Sequence, residues 1–504
     1  MKRILLAATF LALAALAHGQ SHPFENKLPL IDRYIDSVMK AWNIPGLAIG
    51  IVYKDQLVYG KGYGYRDLDN KLPVETTTMF PIASNTKLFT ATAACMLAAE
   101  GKLDLDKPVR NYVPSLSFHD DLLNSSATLR DLLSHRTGLP RYDGIWIASP
   151  LTRSEIAATI AYMKPQLGFR EGYLYNNMMY SVAGLAMERV AGMSWEEIIR
   201  KKIFEPLEMT ASGFSQEDMT RSGNFAFAYF ETDSTRRLKT RNVRLESQAL
   251  GPAGTIKSNV EEMSRWMITQ LNGGKYRGRQ VIPEPVIRQT LIPNTIADKE
   301  GRWSELSNAL YALGRNVLTY KGYKISTHTG SIDGFYSNLT FVFSENIAVF
   351  MVHNSTTAAS FRSGMAFPVI DRLLNLTLTP WSERYLLDAV KNQLDDKKRR
   401  DSIRATQIMN TVPSQPLHLY AGQYLNPVYG EITIDFHDGK LWLNFRGQRS
   451  ALGHFHYDQF VTNEAASGLA DFRLNFLTNS DGKIDRLACQ PYGDPLAEFV
   501  KRKR

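Results

Sequence analysis

The sequence predicts an α/β chain of the α+β kind. An antiparallel sheet flanked by helices, with a helical subdomain, precedes a separate small antiparallel β domain. Three observations predict it. Apolar strand-like segments stand near both ends of the first 380 residues, helix-patterned segments fill the interval, and from Leu417 the texture is all-β. The chain has 504 residues, enough for a large core and for more than one domain. The boundaries fall at 22–380 for the main domain, 381–414 for a charged helical linker and 415–504 for the β domain.

The first residues, "MKRILLAATFLALAALAHGQ", hold Lys2 and Arg3, then an apolar run from Ile4 to Ala17. Ala17-His18-Gly19 is a small-x-small cleavage site, so 1–19 reads as a secretory signal peptide and the mature chain as periplasmic or secreted. No later stretch is long and apolar enough to span a membrane, which leaves no stable span after cleavage.

Residues 25–42 read as an amphipathic helix with Leu30, Ile31, Tyr34, Ile35 and Val38 on one face. "GLAIGIVYKDQLVYGKGYGYRD" reads as a hairpin turning at Lys54-Asp55. An Ala-rich helix runs from Ser84 to about Glu100, stopped by Gly101. "TLRDLLSHRTGLP" is a short helix with Thr128 and Asp131 in capping-box spacing. Further helices fall near 153–164, 177–191, 194–205 and 259–272. "ALYALGRNVL", "YKISTHTG", "GFYSNLTFVFS" and "NIAVFMVHN" read as successive antiparallel strands, and 360–376 returns to helix. One sheet built from both ends of the domain, with a helical insertion, is the economical solution. The inserted stretches 205–250 and 275–310 are expected to form a pocket rim. In the last domain, turns are expected at Asn426-Pro427, Asp438-Gly439 and Asp481-Gly482.

Composition is that of a globular protein, 44% hydrophobic and 22% charged. The net charge of +9 includes two charges in the signal, and the rest is spread thinly, so no nucleic-acid partner is implied. The runs "KKRR" (397–400) and "KRKR" (501–504) read as solvated surface. Cys95 and Cys489 make no disulfide framework, and Cys95 reads as a buried small hydrophobe. No His/Cys/Asp cluster has metal-ligand spacing; neither metal nor organic cofactor is required or signalled.

Three S-x-x-K motifs occur: Ser37…Lys40, Ser84…Lys87 and Ser480…Lys483. Ser37 falls inside a helix and Ser480 in a hairpin turn; only Ser84 sits where a tight turn starts a helix. There Lys87 shares a face with Ser84, the helix N-terminus favours developing negative charge, and a desolvated Lys could lose its proton. Serine at that place is equally a helix cap. Tyr175-Asn176-Asn177 is a Y-x-N just before a helix; Tyr175 is either a general base or a packed ring, and Asn177 a substrate-orienting amide or a cap. His328-Thr329-Gly330-Ser331 ends a strand, and Gly330 permits close approach of a backbone or ligand. His328 is alternatively an ordinary surface histidine.

In this order, the three elements resemble the serine β-lactamase and penicillin-binding-protein superfamily. They are most similar to its class C-type branch of class C β-lactamases, D-aminopeptidases, DD-carboxypeptidases and esterases. "IPGLAIGIVYKDQLVYGKGYG" (44–64), "LRDLLSHRTGLP" (129–140) and "GPAGTIKSNVEEMSRWM" (251–267) extend the resemblance over about 25–380. The C-terminal part resembles the lipocalin-like β-barrel appended to many of these hydrolases. The resemblance implies a β-lactamase/transpeptidase-like fold and an acyl-enzyme on Ser84. Lys87 and Tyr175 would share the base work, with Tyr175 taking the Ser84 proton and later activating water. Asn177 would orient the substrate, and the backbone N–H groups of Ser84 and Ser331 would form an oxyanion hole, beside His328, Thr329 and Gly330.

Class C β-lactamases mostly carry Lys where this chain has His328. Histidine is only partly charged near neutrality, which disfavours efficient β-lactam hydrolysis. The expected function is therefore a secreted peptidase, amidase or esterase acting on a small-molecule or peptide substrate, D-residues included. The alternatives are a class C-type β-lactamase and a non-catalytic penicillin-binding sensor that kept the fold. A homo-oligomer is compatible with the sequence.

Overall fold

The computed structural model describes residues 22–231, 238–241, 247–298, 301–462, 469 and 472–502; the signal-peptide reading of 1–19 lies outside them. Helix α1 (Leu28–Trp42) buries Ile31, Ile35, Val38 and Trp42. Leu30, expected on that face, is 45% exposed, because one residue step turns it ~100° away from Ile31.

Nine strands form the main sheet. They are β1 (Gly46–Tyr53), β2 (Gln56–Asp67), β3 (Leu72–Pro73), β4 (Thr295–Ile296), β5 (Leu306–Tyr311), β6 (Asn316–Tyr320), β7 (Tyr323–Ile332), β8 (Phe335–Val342) and β9 (Ile347–His353). Their spatial order is β4-β5-β6-β7-β8-β9-β1-β2-β3. The hairpin turns at Lys54-Asp55, with Tyr53 opposite Gln56. The antiparallel β1–β9 pair, from Leu47↔His353 to Tyr53↔Ile347, joins the two ends of the domain as expected. The apolar β1 is buried except at its last residue because both sheet faces are covered. "ALYALGRNVL", read as one strand, instead contributes to two: β5 and β6 are joined by a turn at 312–315. Apolar spacing alone does not mark a reversal inside such a run.

On one face lie α2 (Thr86–Ala99), α3 (Asn177–Ala191) and α4 (Val260–Leu271), packed with Ala48, Val52, Leu339 and Phe350. On the other, α1 and α5 (Phe367–Leu373) pack with Leu47, Ile49, Ile51 and Val349. The alternation along β1 and β9 supplies the two cores from one set of strands. The short helix Leu129–Leu133 carries the expected Thr128/Asp131 capping box.

Helix α6 (Trp381–Ala405) leads to an antiparallel barrel of eight strands, β10 (Gly422–Asn426), β11 (Gly430–His437), β12 (Lys440–Phe445), β13 (Gln448–His456), β14 (Gln459–Thr462), β15 (Arg473–Thr478), β16 (Ile484–Cys489) and β17 (Ala497–Lys501). The barrel closes where Tyr424 pairs with Lys501 and Leu425 with Val500. Inward Tyr424, Ile432, Ile434, Leu443, Phe476 and Phe499 are buried in alternation with half-buried or exposed neighbours. Cys95 and Cys489 are free and buried, and burial pushes the Cys95 thiol up to about 12.

Candidate active site

Ser84 lies in a 3₁₀ turn, Ala83–Asn85, that runs into α2. The approach is pinned from three sides. Phe80 and Pro81 pair with Ser258 and Lys257, Ile82 N–H donates to Ile256 O, and Ser337 Oγ donates to Ile82 O at 2.7 Å. Ala83 sits at φ 49°, a left-handed conformation that costs a non-glycine residue free energy. β7 packs straight onto this turn. A Cβ at Gly330 would meet Ile82 O at 2.3 Å, so the close approach read from Gly330 is that of the Ser84 turn itself.

No side chain caps α2. The Ser84 hydroxyl faces two other groups instead: Tyr175 Oη donates to Ser84 Oγ at 2.9 Å, and Lys87 Nζ lies 3.2 Å from it. Lys87 is wholly buried. Its Nζ also donates to Asn177 Oδ1 at 2.8 Å and to Ala253 O at 2.7 Å. Neither is charged. Burial, with Arg141 nearby, therefore holds the Lys87 ammonium well below its ordinary pKa, against a weaker pull from Asp143. Burial pushes the Tyr175 phenol up to about 12, opposed by its bond to Ser84 and by Arg141. The same desolvation thus favours a neutral amine and a protonated phenol.

Asn177 opens α3, while its neighbour Asn176 is the N-cap that accepts from Met179 N–H. Both ends of the Asn177 amide are engaged, since Nδ2 donates to Asp143 Oδ1 at 3.0 Å. Asp143 also accepts from Trp146 Nε1 at 2.8 Å and Arg141 Nε at 2.6 Å.

His328 is buried rather than at the surface. Its Nδ1 faces Thr329 O at 2.7 Å, which can only accept, so Nδ1 carries the proton. Nε2 then accepts from Tyr311 Oη at 3.1 Å. Burial and the nearby Lys87 lower its pKa to about 3. The partial charge ordinary for a histidine near neutrality is disfavoured here, because His328 is buried and no carboxylate is among its hydrogen-bond partners.

These groups surround one cavity of about 540 Å³. Ser84, Tyr175, Asn177, His328, Thr329 and Ser331 line it; Lys87 and Gly330 do not, Gly330 being the point of β7 that packs against the Ser84 turn. Its rim is Arg141, Asp143, Trp146, Ile147, Tyr173, Asn316 and Arg362. Among the described residues of 205–250 and 275–310, where the rim is expected, only Leu250 lines it; 232–237, 242–246 and 299–300 lie outside the described residues. Sequence reasoning missed Arg141, whose guanidinium stands 4.9 Å over the Tyr175 ring, and also Asp143 and Tyr311. It also missed His135, whose ring centroid is 4.3 Å from that of Tyr175. The signal for three of them was their closeness to "LRDLLSHRTGLP".

A model of the family described as beta-lactamase matches residues 31–370. The chain belongs to the beta-lactamase family. A second model, of a domain of unknown function (DUF3471), matches 406–500. An unguisins hydrolase of Aspergillus campestris is 27% identical over 422 residues, covering 79% of this chain and 76% of that one. The fold is similar to that of an octameric penicillin-binding protein homologue from Pyrococcus abyssi, with TM-score 0.61, 21% identity, and 94% and 99% of the two chains covered. It is also similar to a D-amino acid amidase from Ochrobactrum anthropi SV3 complexed with L-phenylalanine, with TM-score 0.57, 21% identity, and 68% and 98% covered. Among the described residues no helix is long and apolar enough to cross a membrane.

Proposed function

We propose that this protein is an exported serine hydrolase of the class C-type branch. It forms an acyl-enzyme on Ser84 and cleaves amide or ester bonds of small peptides, D-residues included, or of simple esters. The observation that carries this reading is the Ser84 hydroxyl held between the Lys87 amine and the Tyr175 phenol, with no carboxylate on the amine. The hydrolase and amidase relatives support the amide side, the closed barrel supports a lipocalin-like module, and the Lys2–Gly19 segment supports export.

Two N–H bonds of Lys87 point at Asn177 and Ala253, which leaves the lone pair of the neutral amine toward Ser84. Ser84 Oγ attacks the carbonyl carbon and its proton passes to Lys87 Nζ. The oxyanion accepts from the backbone N–H groups of Ser84 and Ser331, where losing one donor costs ~10²–10³ in rate. As the C–N or C–O bond breaks, Tyr175 Oη gives its proton to the leaving atom, and the Lys87 ammonium restores Tyr175. Water then attacks the acyl carbon, its proton passes to Lys87, and Ser84 Oγ leaves with that proton. The two groups titrate as a coupled pair. The division differs from the one the resemblance implies, in which Tyr175 takes the Ser84 proton; opposite effects of burial on an amine and a phenol favour Lys87.

Mass spectrometry after a fluorophosphonate, with Ser84→Ala as control, tests this. An adduct on Ser84 that the variant lacks is expected; no adduct at Ser84 with fluorophosphonate or penicillin would sink the reading. A penicillin adduct that clears rapidly would point to a β-lactamase, and one that persists to a penicillin-binding peptidase.

A further inference from the structure

The Asp143–Ile145 turn and the next two residues bring Asp143, Trp146 and Ile147 to the cavity, yet their backbone is held from the C-terminal barrel. Gly144 N–H donates to the buried Asp494 carboxylate at 2.7 Å. The Arg446 guanidinium donates to Gly144 O, to Ile147 O at 2.9 Å and to Tyr429 O at 3.1 Å. Tyr429 Oη donates to the same Asp494 oxygen at 3.2 Å. Asp494, Arg446 and Tyr429 all belong to turns of the C-terminal barrel. The packing is tight: a Cβ on Gly144 would meet Asp494 Oδ2 at 2.7 Å and Pro491 O at 2.9 Å. On its other side the turn presents Trp146 and Ile147 to the cavity and Asp143 to Asn177, which in turn holds Lys87. A short turn leaves backbone groups without internal partners, and here the barrel supplies them, with charge-assisted bonds from Arg446 and an acceptor from Asp494, whose carboxyl burial pushes up to about 7.

We propose that the C-terminal barrel is a positioning part of the hydrolytic site. Arg446 and Asp494 grip the 144–147 backbone and thereby hold the Trp146–Ile147 wall in place beside Ser84. The inference rests on Ser84 being the nucleophile. Arg446 is suited to this because one planar fork reaches three carbonyls at once, which a lysine ammonium on a flexible stem does not.

Two readouts in the full-length chain test it. The first is the inactivation rate by a small ethyl fluorophosphonate and by a bulky aryl-bearing one. Arg446→Ala is expected to weaken capture of the bulky probe about 10-fold, through its concentration dependence, while labelling by the small probe changes by less than about twofold. Arg446→Lys and Asp494→Asn should fall between, and Arg446→Ala should add little to Trp146→Ala. The second readout is hydrogen exchange of the 143–147 backbone, which should quicken in Asp494→Asn and Arg446→Lys but not in Glu498→Gln on the outer barrel face. Equal losses with both probes, full multiplication with Trp146→Ala, or exchange unchanged at 143–147 would overturn the proposal. Should Arg446→Ala fail to fold, Arg446→Lys carries the same comparison. Labelling that survives Ser84→Ala would instead overturn the nucleophile, and the exchange readout stands apart from that result.

Discussion

Lys87 and Asp131 are both wholly buried charged side chains in the same domain, and their surroundings are opposite. Asp131 accepts from Arg136 Nε at 2.5 Å and from two nitrogens of Arg170 at 2.9 and 2.8 Å. It also accepts from Thr128 N–H and Oγ1 at 2.9 and 2.7 Å. Burial alone would raise its pKa, but Arg170, Thr128 and Arg136 outweigh burial and hold it below the usual carboxylate range. Lys87 has only neutral partners, so burial wins and its proton is loosened. A buried charge with counter-charges is a brace. A buried charge without them has a shifted proton affinity, which the proposed mechanism puts to use at Lys87.

The contrast breaks most sharply at Lys87 and Ser84. Ser84→Ala should lower turnover of p-nitrophenyl acetate ~10⁴-fold or more, with Tm little changed. Lys87→Arg, a permanent cation, should cost ~10³-fold. Lys87→Met should lose as much activity while keeping or raising Tm, because a buried amine that has no counter-charge is removed. A Lys87→Met protein that unfolds more readily would put Lys87 among the braces.

The brace should fail in the other currency. Asp131→Asn leaves two guanidiniums facing a neutral amide and should cost about 3 kcal/mol of stability in urea unfolding. Fluorophosphonate titration of its folded fraction should still find Ser84 reactive within a few-fold. A large loss of reactivity at unchanged stability would show the two clusters to be one.

The pH profile sharpens the comparison. In the proposed mechanism the neutral amine is the reactive form, so kcat/KM should fall as pH drops through the lowered pKa of Lys87. It should hold its plateau until Tyr175 ionises toward about 12. A basic limb below about pH 9 would mean that burial does not govern Tyr175.

The smallest effect concerns histidines buried neutral. Burial lowers the pKa of His328 and of His353 to about 3, and that of His135 well below its ordinary value. Below pH ~6.5 the unfolded chain binds protons that the folded one refuses, so stability falls as pH falls toward 3. His353→Gln should flatten that slope by ~1.4 kcal/mol per pH unit, read from urea midpoints across pH.

Much of this was legible in the sequence. The hairpin at Lys54-Asp55, the Thr128/Asp131 capping box and the helix ending before Gly192 follow from alternation, capping spacing and chain-breaking residues. The choice of Ser84 over Ser37 and Ser480 needed only the local context of each serine. The β5–β6 reversal and the cavity rim were not legible. The first hides inside an apolar run. The second depends on Tyr142 in a left-handed conformation and on a turn gripped by a barrel over 300 positions later in the chain.

By itself the sequence determined which side chains are available for chemistry, because spacing and turn residues fix what shares a helix face or ends a strand. Only the tertiary structure decided their states: Lys87 loosened, Tyr175 and His328 held neutral, Asn177 spent on Lys87 and Asp143. Protonation follows from desolvation and from every charge nearby, and those are set by segments that meet only when the chain is folded.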